Sequence, residues 1–137
     1  MDLWIQVLPG SDEPIYQQVA EQISKAIAKG DLVSGDKLPA VRKLASELVI
    51  NPNTVARAYT MLEQAGLVVT KTGSGTFVSD PKLRKSDAAD INAVAERMDT
   101  LITRALNLGI EARDLTDLFG SRLAKFTGKS DKQTGEK

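Results

Sequence analysis

The sequence predicts a mainly α protein with one small β-hairpin: an N-terminal domain of three helices and the hairpin, followed by a C-terminal region of two helices. Three observations carry this expectation. Apolar residues recur at spacings of three and four in five separate stretches, as amphipathic helices require. Residues 67–78 switch to β-branched residues around Gly73-Ser74-Gly75, the pattern of two short strands and a tight turn. The segment Ser79–Ser86 is polar, contains Pro81 and separates the last two helical stretches from the rest.

Met1–Val7 alternates weakly and suits either a short strand or an arm, and Pro9-Gly10-Ser11 signals a turn. From Pro14 to Lys29, the residues Ile15, Tyr16, Val19, Ile23, Ala26 and Ile27 follow helical spacing. Pro14 suits the first turn, Asp12 or Glu13 complements the positive end of the helix dipole, and Gly30 stops the helix. Residues 30–39 read as a connection that Leu32 and Leu38 anchor to a core. Pro39 then opens a second helix to about Val49, with Val41, Leu44, Ala45 and Leu48 inward and Arg42, Lys43, Ser46 and Glu47 outward.

A brief turn at Val49–Asn51 leads into the third helix, which is the best signalled of all. Asn51 can accept a first-turn N–H as a cap, Pro52 suits the next position, and Gly66 can close the far end in the left-handed conformation. Val55, Ala58, Tyr59 and Leu62 form one apolar stripe, so Tyr59 reads as core. The front, by contrast, carries Asn51, Asn53, Thr54 and Arg57, the hydrogen-bonding composition of a helix that enters the major groove of DNA. Short helix, turn and third helix make a helix-turn-helix, and a hairpin directly after it makes a wing. The glycines at 73 and 75 allow its tip, with Ser74, to approach another backbone closely.

Beyond the linker, Ile91, Val94, Met98, Leu101, Ala105 and Leu108 follow a three-four pattern, widened by Ala95, Ile102 and Leu106. A last helix from about Glu111 to Phe126 carries Leu115, Leu118, Phe119, Leu123 and Phe126 on one side. This stripe is too broad for a helical hairpin to bury alone, and a two-fold dimer is the commonest way to cover such a face. Dimerisation is therefore expected through Ile91, Val94, Met98, Leu101, Ile102, Ala105, Leu115, Leu118, Phe119 and Leu123. The expected domains are residues 1–80, residues 81–127 and a disordered tail at 128–137, which has no apolar residue.

Composition narrows the chemistry. With no His and no Cys, the usual general base, the thiolate nucleophile and the best transition-metal ligands are missing. Neither a D-x-D cluster nor a Gly-rich phosphate loop occurs, so neither an enzyme nor a metal or cofactor site is expected. No apolar run reaches the roughly 20 residues of a membrane span, and the N-terminus does not read as a secretory signal, which makes a cytoplasmic protein the default. Formal net charge is zero, yet residues 37–78 hold five basic residues against two acidic ones. Position matters more than the total.

The order of elements and a series of short motifs resemble the GntR family of bacterial winged-helix transcription regulators. The motifs are Pro14-Ile15-Tyr16-Gln17-Gln18, Gly35-Asp36-Lys37-Leu38-Pro39, Arg42-Lys43-Leu44-Ala45, Asn51-Pro52-Asn53-Thr54-Val55, Arg57-Ala58-Tyr59, Gly66-Leu67 and Gly73-Ser74-Gly75-Thr76-Phe77-Val78. The two C-terminal helices resemble the YtrA subfamily in length and pattern. The resemblance implies DNA contacts from the second helix, the front of the third and the wing, which by position means Arg42, Asn51, Asn53, Thr54, Arg57 and Gly73. Two departures stand out: Ala40 lies where relatives often carry a capping Ser, and Pro52 and Ala56 lie where some carry base-contacting arginines.

Each residue also has a plainer reading. Arg42 and Lys71 could be solvated surface charges, Asn51 a cap alone, and Arg57 an internal brace that orients the third helix. The resemblance implies a double-stranded DNA operator as partner and repression as the direction. A homodimer implies an inverted repeat. A winged helix used only for protein contacts is the alternative from another class. A small-molecule effector is allowed but not indicated.

Overall fold

The computed structural model describes residues 4–128, and the chain divides between Arg84 and Lys85 into two compact units. In the first, α1 (Ile15–Lys29), α2 (Val41–Leu48) and α3 (Pro52–Gln64) precede an antiparallel hairpin of β1 (Val68–Lys71) and β2 (Gly75–Val78). α1 and α2 both pack against α3. Val19 and Ile23 of α1, Leu44 of α2, Val55 and Ala58 of α3 and Val68 of β1 are at most 1% exposed and form the centre of one core. Each large apolar side chain buried there is worth roughly 1.5–3 kcal/mol.

The N-terminal residues form an arm rather than a strand. Ile5 is buried, and two glutamines of α1 tie the arm down as a strand partner would. Gln18, itself buried, accepts the Leu8 N–H at 2.8 Å and donates to the Leu8 and Glu13 carbonyls at 3.0 and 2.8 Å. Gln22 accepts the Gln6 N–H at 2.9 Å and donates back to the Gln6 carbonyl at 2.7 Å. α1 itself starts at Ile15, with Pro14 as the extended residue before it, and ends on left-handed Gly30.

The connection after α1 is not a plain loop. Lys37 pairs with Phe77 in an antiparallel bridge, the Leu38 N–H donates to the Thr76 carbonyl at 2.8 Å, and Val78 and Asp36 are joined at 2.8 Å. Residues 35–38 thus add a third rung to the wing. This also corrects the start of α2, which opens at Val41 and not at Pro39. The chain is extended at Ala40 (φ −59°, ψ 148°), and the Pro39 carbonyl before it accepts the Tyr59 hydroxyl at 2.7 Å. Leu32 and Leu38 are buried and anchor the connection to the core.

α2 ends on Val49, the one non-glycine residue with positive φ among the described residues (φ 56°, ψ 51°), and its side chain is 88% exposed. A β-branched residue in this conformation costs about 1–2 kcal/mol, and no buried surface offsets it. Val49→Gly should relieve that strain while losing about 0.5–1 kcal/mol to the greater chain entropy of glycine. The expected net gain is about 0.5–1 kcal/mol, visible as a rise of a few degrees in Tm by calorimetry; a fall in Tm would overturn the strain assignment.

The polar stretch after β2 is only half a linker. Ser79 is buried and its hydroxyl donates to the Gly66 carbonyl at 2.6 Å. Arg84 returns to Ser79 through Nε at 3.2 Å and Nη2 at 3.0 Å, across a 3₁₀ turn at Pro81–Leu83. The second unit is α4 (Ala88–Asn107) and α5 (Ala112–Thr127). A capping box opens α4: Asp87 accepts the Asp90 N–H at 2.8 Å and Asp90 accepts the Asp87 N–H at 3.1 Å. The backbone N–H of Asp90 holds the Asp87 carboxyl below its ordinary pKa. Gly128, assigned to the tail on sequence, instead caps α5 with φ 65°; residues 129–137 lie outside the described residues. No helix among the described residues is long and apolar enough to cross a membrane.

Candidate nucleic-acid interface

The site is built on α3. Asn51 accepts the Asn53 N–H at 2.8 Å and so caps the helix, with Pro52 in the first turn where its missing N–H costs nothing. Val55, Ala58, Tyr59 and Leu62 are buried and fix the rotation of the helix about its axis. Burial pushes the Tyr59 phenol well above its ordinary pKa, so it stays neutral and donates to Pro39. This rotation leaves Asn51, Asn53 and Arg57 exposed and Thr54 half-exposed. Among the described residues, no intramolecular hydrogen bond engages the side chains of Asn53 and Thr54, so both are open to a partner.

Arg42 is exposed on the outer side of α2, two residues after Ala40, which occupies the cap position without a side-chain hydrogen bond. Arg57 is engaged differently. Its guanidinium lies 3.8 Å from the centroid of the Tyr16 ring, a cation–π contact that braces α3 on α1. The internal reading of Arg57 is therefore realised by a ring face and not by a hydrogen bond. Tyr16 was not singled out by its spacing, since a Tyr on the apolar face of α1 reads as core.

On the wing, Gly73 (φ 80°) and Gly75 (φ 126°) take backbone conformations that L side chains rarely adopt, and Ser74 sits exposed between them. Lys71 extends from β1 over the Phe77 ring, its Nζ 5.1 Å from the centroid. Asn51, Asn53 and Thr54 cluster on the front of α3, whereas Lys71, Gly73 and Ser74 belong to the separate hairpin.

The second unit offers a surface of another kind. Ile91, Val94, Met98, Leu101, Ile102, Leu106, Leu108, Leu118, Phe119 and Leu123 are 41–69% exposed. Leu115 is half-buried, and Ala105 is already buried and has little surface left to offer a partner. Between α4 and α5, Met98, Leu101, Ile102, Leu115, Thr116 and Phe119 line an apolar groove of about 280 Å³.

Comparison with known proteins agrees with this architecture. The family model described as bacterial regulatory proteins, gntR family, matches residues 15–78. The HTH-type transcriptional repressor YtrA of Bacillus subtilis (strain 168) is 38% identical over 111 residues, which cover 81% of this chain and 85% of that protein. The chain belongs to the GntR family. Among solved structures, the transcriptional antiterminator from Listeria monocytogenes EGD-e aligns with a TM-score of 0.79 at 27% identity, covering 90% of this chain and 92% of that one. YtrA from Sulfolobus acidocaldarius, a GntR-family transcription factor, aligns with a TM-score of 0.56 at 37% identity, covering 75% and 97%. As a GntR protein of the YtrA-like kind, this chain is a DNA-binding transcription regulator with a winged helix.

Proposed function

We propose that the protein is a cytoplasmic homodimeric repressor that binds an inverted-repeat operator. The observation that carries the reading is the apolar surface of α4 and α5, with nine large side chains 41–61% exposed. A second copy covers such a face, and two-fold pairing presents two recognition helices in inverted orientation. Repression is supported by the name of the Bacillus subtilis relative, a transcriptional repressor. A ligand in the α4–α5 groove would share its walls with the dimer face, so an effector would act through the pairing of the two copies.

Within each half-site, Asn53 and Thr54 read base edges from the front of α3, and Asn51 adds a phosphate contact to its capping role. Arg42 takes a phosphate or a guanine edge. Arg57, stacked on Tyr16, orients α3 and keeps guanidinium N–H groups exposed to a neighbouring phosphate. Gly73 and Ser74 let the wing tip approach the duplex beside Lys71. A footprint on the DNA upstream of the protein's own gene tests this directly. It should show two protected half-sites related by a dyad, their centres about 34–36 Å or a multiple apart. A single protected half-site would remove the dimeric reading, and no protection would remove the operator from that region.

A further inference from the structure

We propose that Lys37 and Lys71 form a two-ammonium clamp for one DNA phosphate on the outer face of the wing, with Gly75 as the gap that admits the Lys37 side chain. The inference rests on the DNA-binding reading above and extends it to a residue outside the helix-turn-helix and the hairpin. Lys37 belongs to the connection after α1, and its role arises only because residues 35–38 join the wing as a third rung.

The register decides which side chains share a face. Directly opposed residues of an antiparallel pair project from the same side of the sheet. Val69 opposes Phe77 and Lys71 opposes Gly75, while Lys37 bridges Phe77 from the other edge. Lys37, Phe77, Val69, Lys71 and Gly75 therefore lie on one face. Val68 and Val78 point the other way, into the core. The two lysines approach the centre of this face from opposite edges. Lys71 Nζ lies over the Phe77 ring at 5.1 Å. The Lys37 chain crosses Gly75 so closely that a Cβ there would come within 2.7 Å of its Cε and 3.5 Å of its Nζ.

Neither ammonium has a carboxylate partner among the described residues, and the carboxylate next to Lys37 in sequence is engaged elsewhere. The Asp36 carboxylate accepts the Val33 N–H at 2.8 Å within its own loop. Both lysine stems rest on wing surface, Lys71 against an aromatic ring and Lys37 across a glycine, which limits the rotamer freedom each would lose on binding. An anion held by two ammonium groups on one face, beside a glycine-rich tip, matches the backbone of a duplex entering the wing. A phosphate contact carries no sequence information, so the clamp positions the wing without choosing the site.

The test is a salt titration of the full-length protein on a fluorescent duplex of mixed sequence and, in parallel, on its own upstream DNA. Lys37→Met keeps the aliphatic stem and removes the charge. It should weaken both complexes by the same factor, on the order of three- to tenfold, and reduce the slope of log K on log[salt] by about 0.9. Lys71→Met should do the same, and Lys37→Arg should restore the slope. Gly75→Ala should imitate Lys37→Met by displacing the lysine, and the methionine variants remain decisive if the wing does not tolerate it. A steep wild-type slope left unchanged by Lys37→Met overturns the clamp and leaves the DNA-binding reading intact. A wild-type protein that binds neither duplex overturns both.

Discussion

Deleting residues 87–137 should leave a monomer that binds the operator about 10²–10⁴-fold more weakly than the intact protein. The winged helix keeps its own core, with Ile23, Leu38, Leu44, Val55 and Val68 at most 2% exposed, so the fragment should fold. What it loses is the intramolecular second binding event. A single winged helix with few phosphate contacts is expected to bind non-specific DNA only at about 10⁻⁴–10⁻⁶ M at physiological salt. Sedimentation of the fragment and anisotropy on operator duplex read the two halves of the claim separately. A fragment that still sediments as a dimer, or that keeps operator affinity within about tenfold, would place the pairing surface outside α4 and α5.

Replacing Asn53 and Thr54 together with alanine should cost about 1–3 kcal/mol of operator affinity for each lost base contact, with little change in binding to unrelated duplex. The fold should hold, because neither side chain makes an intramolecular hydrogen bond among the described residues. Asn51→Ala is the informative contrast. Asn51 caps α3 by accepting the Asn53 N–H at 2.8 Å, so its loss should lower thermal stability, by about 1 kcal/mol, as well as affinity. Operator affinity unchanged in the double variant would remove the front of α3 as the reading surface.

α3 was legible in the sequence because every signal there is local. A cap, a proline at the first position, a three-four apolar stripe and a closing glycine all act within a few residues of one another. For the same reason α4 and α5 are legible from spacing, and the Asp87–Asp90 capping box adds a local start signal for α4. Sequence alone starts α2 at Pro39, two residues before its first helical residue Val41, because a proline is a common first residue of a helix. Nothing nearby in sequence reveals that its carbonyl is taken by Tyr59, twenty residues on.

The wing shows the same division. Gly73 and Gly75 announced a turn, but the hairpin alone is two strands, and its third rung comes from residues that read as a loop. Local sequence accordingly marks Lys37 only as one of the basic residues between 37 and 78. Tyr16 and Arg57 are 41 positions apart, and no periodicity links a ring on α1 to a guanidinium on α3.

The sequence by itself determined the mainly α class with its one hairpin, the helix-turn-helix order and the polar front of α3. These follow from short-range patterns of backbone preference and side-chain spacing. Only the tertiary structure decided that Arg57 stacks on Tyr16, that Gln18 and Gln22 tie down the N-terminal arm, that Val49 is left exposed in a strained conformation, and that Lys37 joins Lys71 on the wing. Each of these depends on chain segments meeting across the fold, and where such segments meet is set by how the shared core packs.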